Sequence, residues 1–309
     1  MAADSMQVTV IGAGTVGLSW TGLFLANGAK VTICDPRPDI RLWALSGLEG
    51  IKWSLVSLGY SIDKFTRQLC FEDKLHKAVQ DADIIQECIP EELEAKRSMY
   101  EKLERFAPSS ALMLSSSAGF SASEMAVRMT NAGRMMVGHS FCPPHLIPLV
   151  EVGPGERTSP ESIRKAMDFY RRMGKYPVLI GKEVAGLVAN RLHFALLREG
   201  IHLVTSGVIT IESLDEIVRS SLGPRWAAAG PFKTIALGGA GGLGNFLEQL
   251  GPTVEHIWRG LGHVKLDAET RASLRKQSDD VYARVPVEDL VKERDEHQIA
   301  ILRALRKQP

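Results

Sequence analysis

Apolar positions fall into two alternating rhythms along the first half of the chain. Gln7–Ile11 is a short β-branched run that stops at a glycine, and it predicts a buried strand. Thr15–Asn27 carries helical spacing, with Gly28 as a natural stop. Lys30–Cys34 is a second strand, closed by Asp35 and Pro36. Strand, helix and strand at this length form a βαβ unit, whose crossover is almost always right-handed. The strand signal returns at Ala82–Ile89, Ser110–Ser115, Met135–His139 and Tyr176–Ile180. Helical segments fit between these runs, notably Glu91–Phe106 and Ser159–Met173. Such alternation predicts an α/β fold: a doubly wound Rossmann domain whose mostly parallel sheet is covered on both faces.

After Ile180 the rhythm changes. From Gly186 to Gln308 the pattern is helical throughout, as in Leu187–Thr205 and Ile211–Ser221, so the C-terminal domain is expected to be all-helical. Gly181–Gly186 reads as the junction, giving expected domains at residues 1–183 and 184–309. The glycine cluster Gly238–Gly244 reads as a loop inside the second domain. It lacks the Lys-Ser/Thr that would follow in a nucleotide P-loop. Val287–Lys307 is a charged helix ending in Arg303, Arg306 and Lys307, basic residues that suit a helix C-terminus.

Composition narrows the partners. At 309 residues the chain is long enough for two domains with a buried core. A net charge of +1 gives no reason to expect nucleic acid or an anionic membrane as partner. No stretch approaches the ~20 apolar residues of a membrane helix, and no basic region or cleavage site precedes Val8, so no secretory signal is expected. Cys34, Cys70, Cys88 and Cys142 lack paired spacing, which argues against a disulfide framework or a zinc ribbon. Free thiols fit a reducing compartment, and a cytoplasmic protein is expected.

Gly12-Ala-Gly14-Thr15-Val16-Gly17 lies between the first strand and the first helix. The first glycine allows a tight turn, the second lets a pyrophosphate approach the backbone, and the third lets helix and strand pack closely. The helix N-terminus then faces the phosphates. Asp35 ends the next strand at about the 20-residue interval expected of an acid that holds the adenosine ribose hydroxyls. An acid there repels a 2′-phosphate, so NAD is the expected cofactor. Arg37, nearby, either softens that preference or is an ordinary exposed loop arginine.

Further motifs carry a family resemblance. Gln86–Lys96, Val137–Val152 with its run His145-Leu-Ile-Pro-Leu-Val-Glu-Val, Gly186–Leu192, and Leu222–Trp226 followed by Gly230-Pro-Phe232 together resemble the 3-hydroxyacyl-CoA dehydrogenase superfamily. The branch holding L-gulonate 3-dehydrogenase (lambda-crystallin) and L-carnitine dehydrogenase is the most similar, and the resemblance runs from Gln7 to the C-terminal end. It implies an NAD-dependent oxidoreductase that interconverts a 3-hydroxy acid, or a related secondary alcohol or thioester, and its ketone. It also implies a homodimer.

The catalytic pair implied by the resemblance falls on His139 and Glu151. The residue types suit the chemistry, since a histidine works in both directions near neutral pH and a carboxylate on its other nitrogen fixes its tautomer. Asn190 matches the family's pocket asparagine, with a helix N-cap as the plainer alternative. Glu91 and Lys96, opening the next helix, and Ser116 match further cofactor contacts. For the two charged residues ordinary helix-surface pairing is the alternative. Arg225, with its planar fork, and Trp226 are expected at the substrate pocket, with a structural salt bridge as the equal alternative for Arg225.

Two positions leave the family pattern. Ser115-Ser116-Ser117-Ala118-Gly119 has the methyl of Ala118 where the family has a hydroxyl. His139-Ser-Phe-Cys142-Pro-Pro has Cys142 where the family has asparagine. One lost donor to a reacting oxygen costs on the order of 10²–10³ in rate. The expectation is therefore an altered substrate, unless Ser117 or a water supplies the bond. Alternatives from other classes are redox-neutral chemistry with the same pair and non-catalytic NAD binding of the crystallin kind. His139, Cys142 and His145 also form a His-x2-Cys-x2-His spacing. With no fourth ligand nearby and a double proline restricting the loop, no metal is expected.

Overall fold

The computed structural model describes residues 6–63 and 65–306. Its N-terminal part runs β1 Gln7–Ile11, α1 Thr15–Ala26, β2 Lys30–Cys34, α2 Ile40–Ser57, α3 Phe65–Gln68, β3 Leu69–Phe71, α4 Leu75–Ala78, β4 Ile84–Glu87, α5 Leu93–Phe106, β5 Leu112–Ser115, α6 Ala122–Met125, β6 Met135–Ser140, β7 Leu149–Pro154, α7 Pro160–Arg172 and β8 Tyr176–Leu179. The strands form one sheet in the order β3-β2-β1-β4-β5-β6-β7-β8, parallel at every pairing except β6–β7. The doubly wound Rossmann fold expected from the alternation is therefore present.

Alternation along each strand shows that both faces are covered. Val10, Ile84, Leu114 and Met136 join one apolar cluster with Trp20, Phe24 and Tyr170. Their sequence neighbours Ile11, Ile85, Met113 and Val137 join the opposite cluster with Tyr100 and Leu103. α1 and α2 lie close because glycines stand where they touch. A Cβ on Gly22 would meet Ile51 Cδ1 at 2.4 Å, and one on Gly47 would meet Leu18 Cδ1 at 2.5 Å. Those glycines also blur the helical signal, and sequence reading passed over α2. It passed over β3, only three residues long, and β7, which is flanked by prolines.

The chain divides into two compact units between Asn190 and Arg191. That is seven residues beyond the expected 183/184 junction. The reason is local: the first turn of α8 (Leu187–Thr205) is hydrogen-bonded to Glu151 of β7, which ties residues 187–190 to the sheet. The second unit is helical: the rest of α8, α9 Ile211–Ile217, a π-turn at Val218–Leu222, α10 Gly223–Ala229, α11 Pro231–Ala236, α12 Gly242–Arg259, α13 Ala268–Tyr282 and α14 Val287–Arg306. The expected single helix over 211–221 is thus an α-helix continued by a wider turn. The glycine loop is shorter than expected, because Gly242–Gly244 already belong to α12. Lys307, expected at the end of the last helix, lies outside the described residues. Among the described residues, no helix is long and apolar enough to cross a membrane.

Candidate active site

The glycine turn is shaped by what surrounds it. Gly12 has φ +87°, and a Cβ there would lie 2.7 Å from the Cys88 carbonyl oxygen. A Cβ on Gly17 would stand 1.9 Å from the Gly12 oxygen, so these two positions are closed to any side chain. Gly14 is the reverse case: nothing lies within 4 Å of its Cβ position. It is the N-cap of α1, whose first turn has no side-chain cap and no acid. Open backbone at a helix N-terminus is what a pyrophosphate requires. Gly12, Gly14, Thr15, Val16 and Asp35 line a cleft of about 840 Å³, which fits a dinucleotide.

Asp35 is buried and accepts hydrogen bonds from Ala13 N (2.8 Å), Arg37 N (3.1 Å) and Arg37 Nε (2.8 Å). Burial pushes its carboxyl up, but the bonds from Arg37 and Ala13 outweigh this and leave it below the usual carboxylate range. Arg37 is therefore no ordinary exposed loop residue.

The antiparallel β6–β7 pairing creates the second cluster. His139 and Glu151 are direct register partners, and opposed residues on one sheet face stand about 4.5–5.5 Å apart at Cβ. The side chains meet, His139 Nδ1 to Glu151 Oε2, at 3.0 Å, both buried. The other oxygen, Oε1, accepts from Val188 N (2.8 Å) and Ala189 N (3.0 Å) at the start of α8. Burial raises the Glu151 carboxyl, yet the bonds from His139, Ala189 and Val188 more than compensate and hold it below its ordinary value. An ionised carboxylate only accepts, so Nδ1 carries the hydrogen and Nε2 is the nitrogen left for other work. Asn190 is the fourth residue of α8, so it is not the helix cap. Gly186 (φ +78°) and Leu187 (φ +53°) turn the chain sharply into that helix.

Lys96 lies in the first turn of α5, as expected, but Glu91 does not open that helix. α5 begins at Leu93, so Glu91 precedes it. Its Oε1 accepts from Ser117 Oγ (2.7 Å), Ala118 N (3.1 Å) and Gly119 N (2.7 Å), fixing the loop after β5. Lys96 is buried, bonded to Glu87 Oε1 at 2.7 Å and 3.4 Å from Glu91 Oε2. Lys96 is therefore no ordinary surface-pairing residue, whereas Glu91 keeps 42% of its side chain exposed. Glu87 also accepts from Ser115 Oγ (2.6 Å) and Tyr100 OH (3.2 Å). Sequence reading missed it, although an acid within the apolar run Ala82–Ile89 was a usable signal. Ser116 accepts from Gln86 Nε2 (2.9 Å) and lies 3.2 Å from Cys88 Sγ, beside the cleft. Burial pushes the Cys88 thiol up to about 12, so it stays protonated. Ser117 spends its one hydroxyl hydrogen on Glu91 and accepts from Phe120 N (3.0 Å), so it has no hydroxyl hydrogen left to donate elsewhere.

The loop joining β6 to β7 is clamped. Ser19 Oγ lies 2.8 Å from His145 Nδ1 and also accepts from His145 N. Lys175 donates to Pro144 O (2.6 Å) and to Ile147 O, and sits 5.3 Å over the Trp20 ring. Burial pulls the Lys175 ammonium down to about 7. Neither Lys175 nor Ser19 announces itself in the sequence. Among the described residues no group of three or more His, Cys, Asp or Glu side chains is placed to hold a metal ion, so His139, Cys142 and His145 do not converge as a ligand set. Arg225 and Trp226 lie in α10, in the helical unit.

Residues 7–184 match the model of the 3-hydroxyacyl-CoA dehydrogenase NAD-binding domain, and residues 186–259 match that family's C-terminal domain. The chain belongs to the 3-hydroxyacyl-CoA dehydrogenase family. As a member it is an NAD-dependent dehydrogenase. It is 38% identical over 299 residues to an L-carnitine dehydrogenase of Streptomyces coelicolor, covering 96% of this chain and 94% of that one. It is 37% identical to a 3-hydroxyacyl-CoA dehydrogenase of Gibberella moniliformis, covering 99% and 97%. Among solved structures, 5-formyl-3-hydroxy-2-methylpyridine 4-carboxylic acid 5-dehydrogenase, described as an NAD+-dependent dismutase, superposes with a TM-score of 0.84. It is 27% identical over 98% of this chain and 99% of that one.

Proposed function

We propose that His139 takes the hydroxyl proton of a secondary alcohol while hydride leaves the same carbon for NAD, and returns it in the reverse direction. One observation carries this reading: Glu151 bonds Nδ1 of His139 with one oxygen and the start of α8 with the other. That arrangement orients the ring, stabilises the imidazolium and presents Nε2 to substrate. Asn190, on the same turn, anchors the substrate oxygen. The cofactor contacts are Gly12, Gly14, Thr15, Val16, Gly17 and Asp35, with Glu91, Lys96 and Ser116 supporting the nicotinamide side. The substrate is a 3-hydroxy acid of the carnitine kind, with Ala118 and Cys142 making its pocket less polar.

The test is NADH formation from L-carnitine, gulonate, 3-hydroxybutyrate and 3-hydroxybutyryl-CoA, repeated with His139→Gln. The variant is expected to lose about 10²–10⁴ in kcat with NAD+ affinity intact. Equal rates in the two proteins would contradict the reading.

A second reading is favoured by the likeness to an NAD+-dependent dismutase: oxidation and reduction balanced within one site, with no net NADH. Product analysis at catalytic NAD+ separates the two, since dismutation gives equal amounts of oxidised and reduced product.

We also infer a homodimer through the helical unit. Phe194, Phe232, Leu237 and Trp258 are each more than half exposed there, and large apolar side chains left to water in such number call for a covering partner. Light scattering on the eluted protein should give twice the chain mass; a monomer at micromolar concentration would contradict it.

A further inference from the structure

Asp35 has to accept the hydroxyls of the adenosine ribose, yet in this structure its acceptor sites are fully taken. Oδ1 receives Arg37 N at 3.1 Å and Arg37 Nε at 2.8 Å. Oδ2 receives Ala13 N at 2.8 Å and Arg37 Nη2 at 2.9 Å. A carboxylate offers about four lone-pair sites, so a ribose diol gains Asp35 only by displacing a donor. Two of the four are backbone groups fixed by the glycine turn and the end of β2. The two that can yield belong to the Arg37 side chain.

The arginine is held by more than the acid. Nη2 also donates to Ala13 O at 2.8 Å, a carbonyl shared with Trp43 Nε1 at 3.0 Å. The guanidinium lies 5.0 Å over the Trp43 ring. When it gives up Asp35 it therefore stays at the ribose end of the cleft, which Arg37 lines together with Asp35 and Pro36. The charge there is not that of an acid alone. Asp35 by itself excludes a 2′-phosphate by repulsion, whereas Asp35 with Arg37 is a neutral pair whose cationic half is a fork suited to phosphate.

We propose that Arg37 sets the 2′ preference of the cofactor site, so that the cleft accepts a 2′-phosphorylated dinucleotide as well as NAD. The diol of NAD competes with Arg37 for Asp35, while a 2′-phosphate recruits Arg37 and leaves Asp35 to the 3′-hydroxyl and the backbone. The inference rests on the assignment of this cleft to the dinucleotide and concerns only its selectivity.

Calorimetric titration with ADP-ribose and with 2′-phospho-ADP-ribose tests this without turnover. The wild-type protein is expected to bind both. Arg37→Leu should bind 2′-phospho-ADP-ribose roughly tenfold to a hundredfold more weakly, the worth of a hydrogen bond to a charged group. It should bind ADP-ribose as tightly as wild type or more so. Asp35→Ala should shift selectivity the other way, weakening ADP-ribose more than its 2′-phosphate. Equal weakening of both ligands by Arg37→Leu would overturn the proposal, as would a wild-type protein that binds ADP-ribose and not its 2′-phosphate. Binding of neither ligand by the wild type would remove the cofactor assignment of the cleft as well.

Discussion

At the Gly12–Gly17 turn the working groups are backbone, and side chains are kept out by contact distances as short as 1.9 Å. At the β6–β7 hairpin the working groups are side chains, and the backbone only sets their register. The first region needs particular residues at particular spacings, because only glycine fits. The second needs a three-dimensional coincidence: an antiparallel strand in a parallel sheet, with a carboxylate opposite a histidine and a helix start within its reach. One is written locally, the other by topology.

The sharpest way to break the first region is Gly17→Ala. Its Cβ has no room beside the Gly12 oxygen, so the turn must shift and NAD+ binding should fall below calorimetric detection while His139 and Glu151 keep their places. Next in size is Lys96→Met, which leaves Glu87 buried without its cation. Loss of one partner from a buried pair costs about 3–5 kcal/mol, readable in urea unfolding. A smaller effect is expected for Lys175→Met. The loop between β6 and β7 loses its clamp, and misplacement of the hairpin should lower kcat by up to about a hundredfold with NAD+ affinity unchanged. If affinity and rate fall together instead, the two regions are not separable in the way described.

The smallest effect is that of pH. Glu151, Glu91 and Asp35 all have folded carboxyls below their ordinary values of 4.5, 4.5 and 3.8. For a lowered acid the stabilisation is complete above the ordinary value and disappears as pH falls toward the folded one. These three carboxyls should therefore leave stability unchanged from pH 7 to about 5 and make it decline below that. Glu151→Gln should make the decline shallower. An unchanged slope in that variant would show that its carboxylate is not held as described.

Much of this was legible in the sequence. The βαβ rhythm, the three glycines and Asp35 were local signals, and they located the turn and the acid that line the cleft. His139 and Glu151 emerged through the family motif, but their pairing is a property of the β6–β7 register, which no local pattern displays. Lys175 and Ser19 were not legible for the same reason, since their partners lie 28 to 126 residues away along the chain, whereas Glu87 was marked as an acid within an apolar run. Ala118 was legible as a departure, but its consequence was not. That Ser117 has no hydroxyl hydrogen left to donate follows from its bond to Glu91, and restoring Ala118→Ser together with Cys142→Asn should raise activity on the ordinary family substrates.

The central claim is that a Glu151-oriented His139 moves the proton independently of cofactor binding. Pre-steady-state hydride transfer to NAD+ in Glu151→Gln, with the NAD+ dissociation constant measured on the same sample, tests it most directly. The account predicts a rate lowered by about 10²–10⁴ at an unchanged dissociation constant. Transfer at the wild-type rate would contradict it.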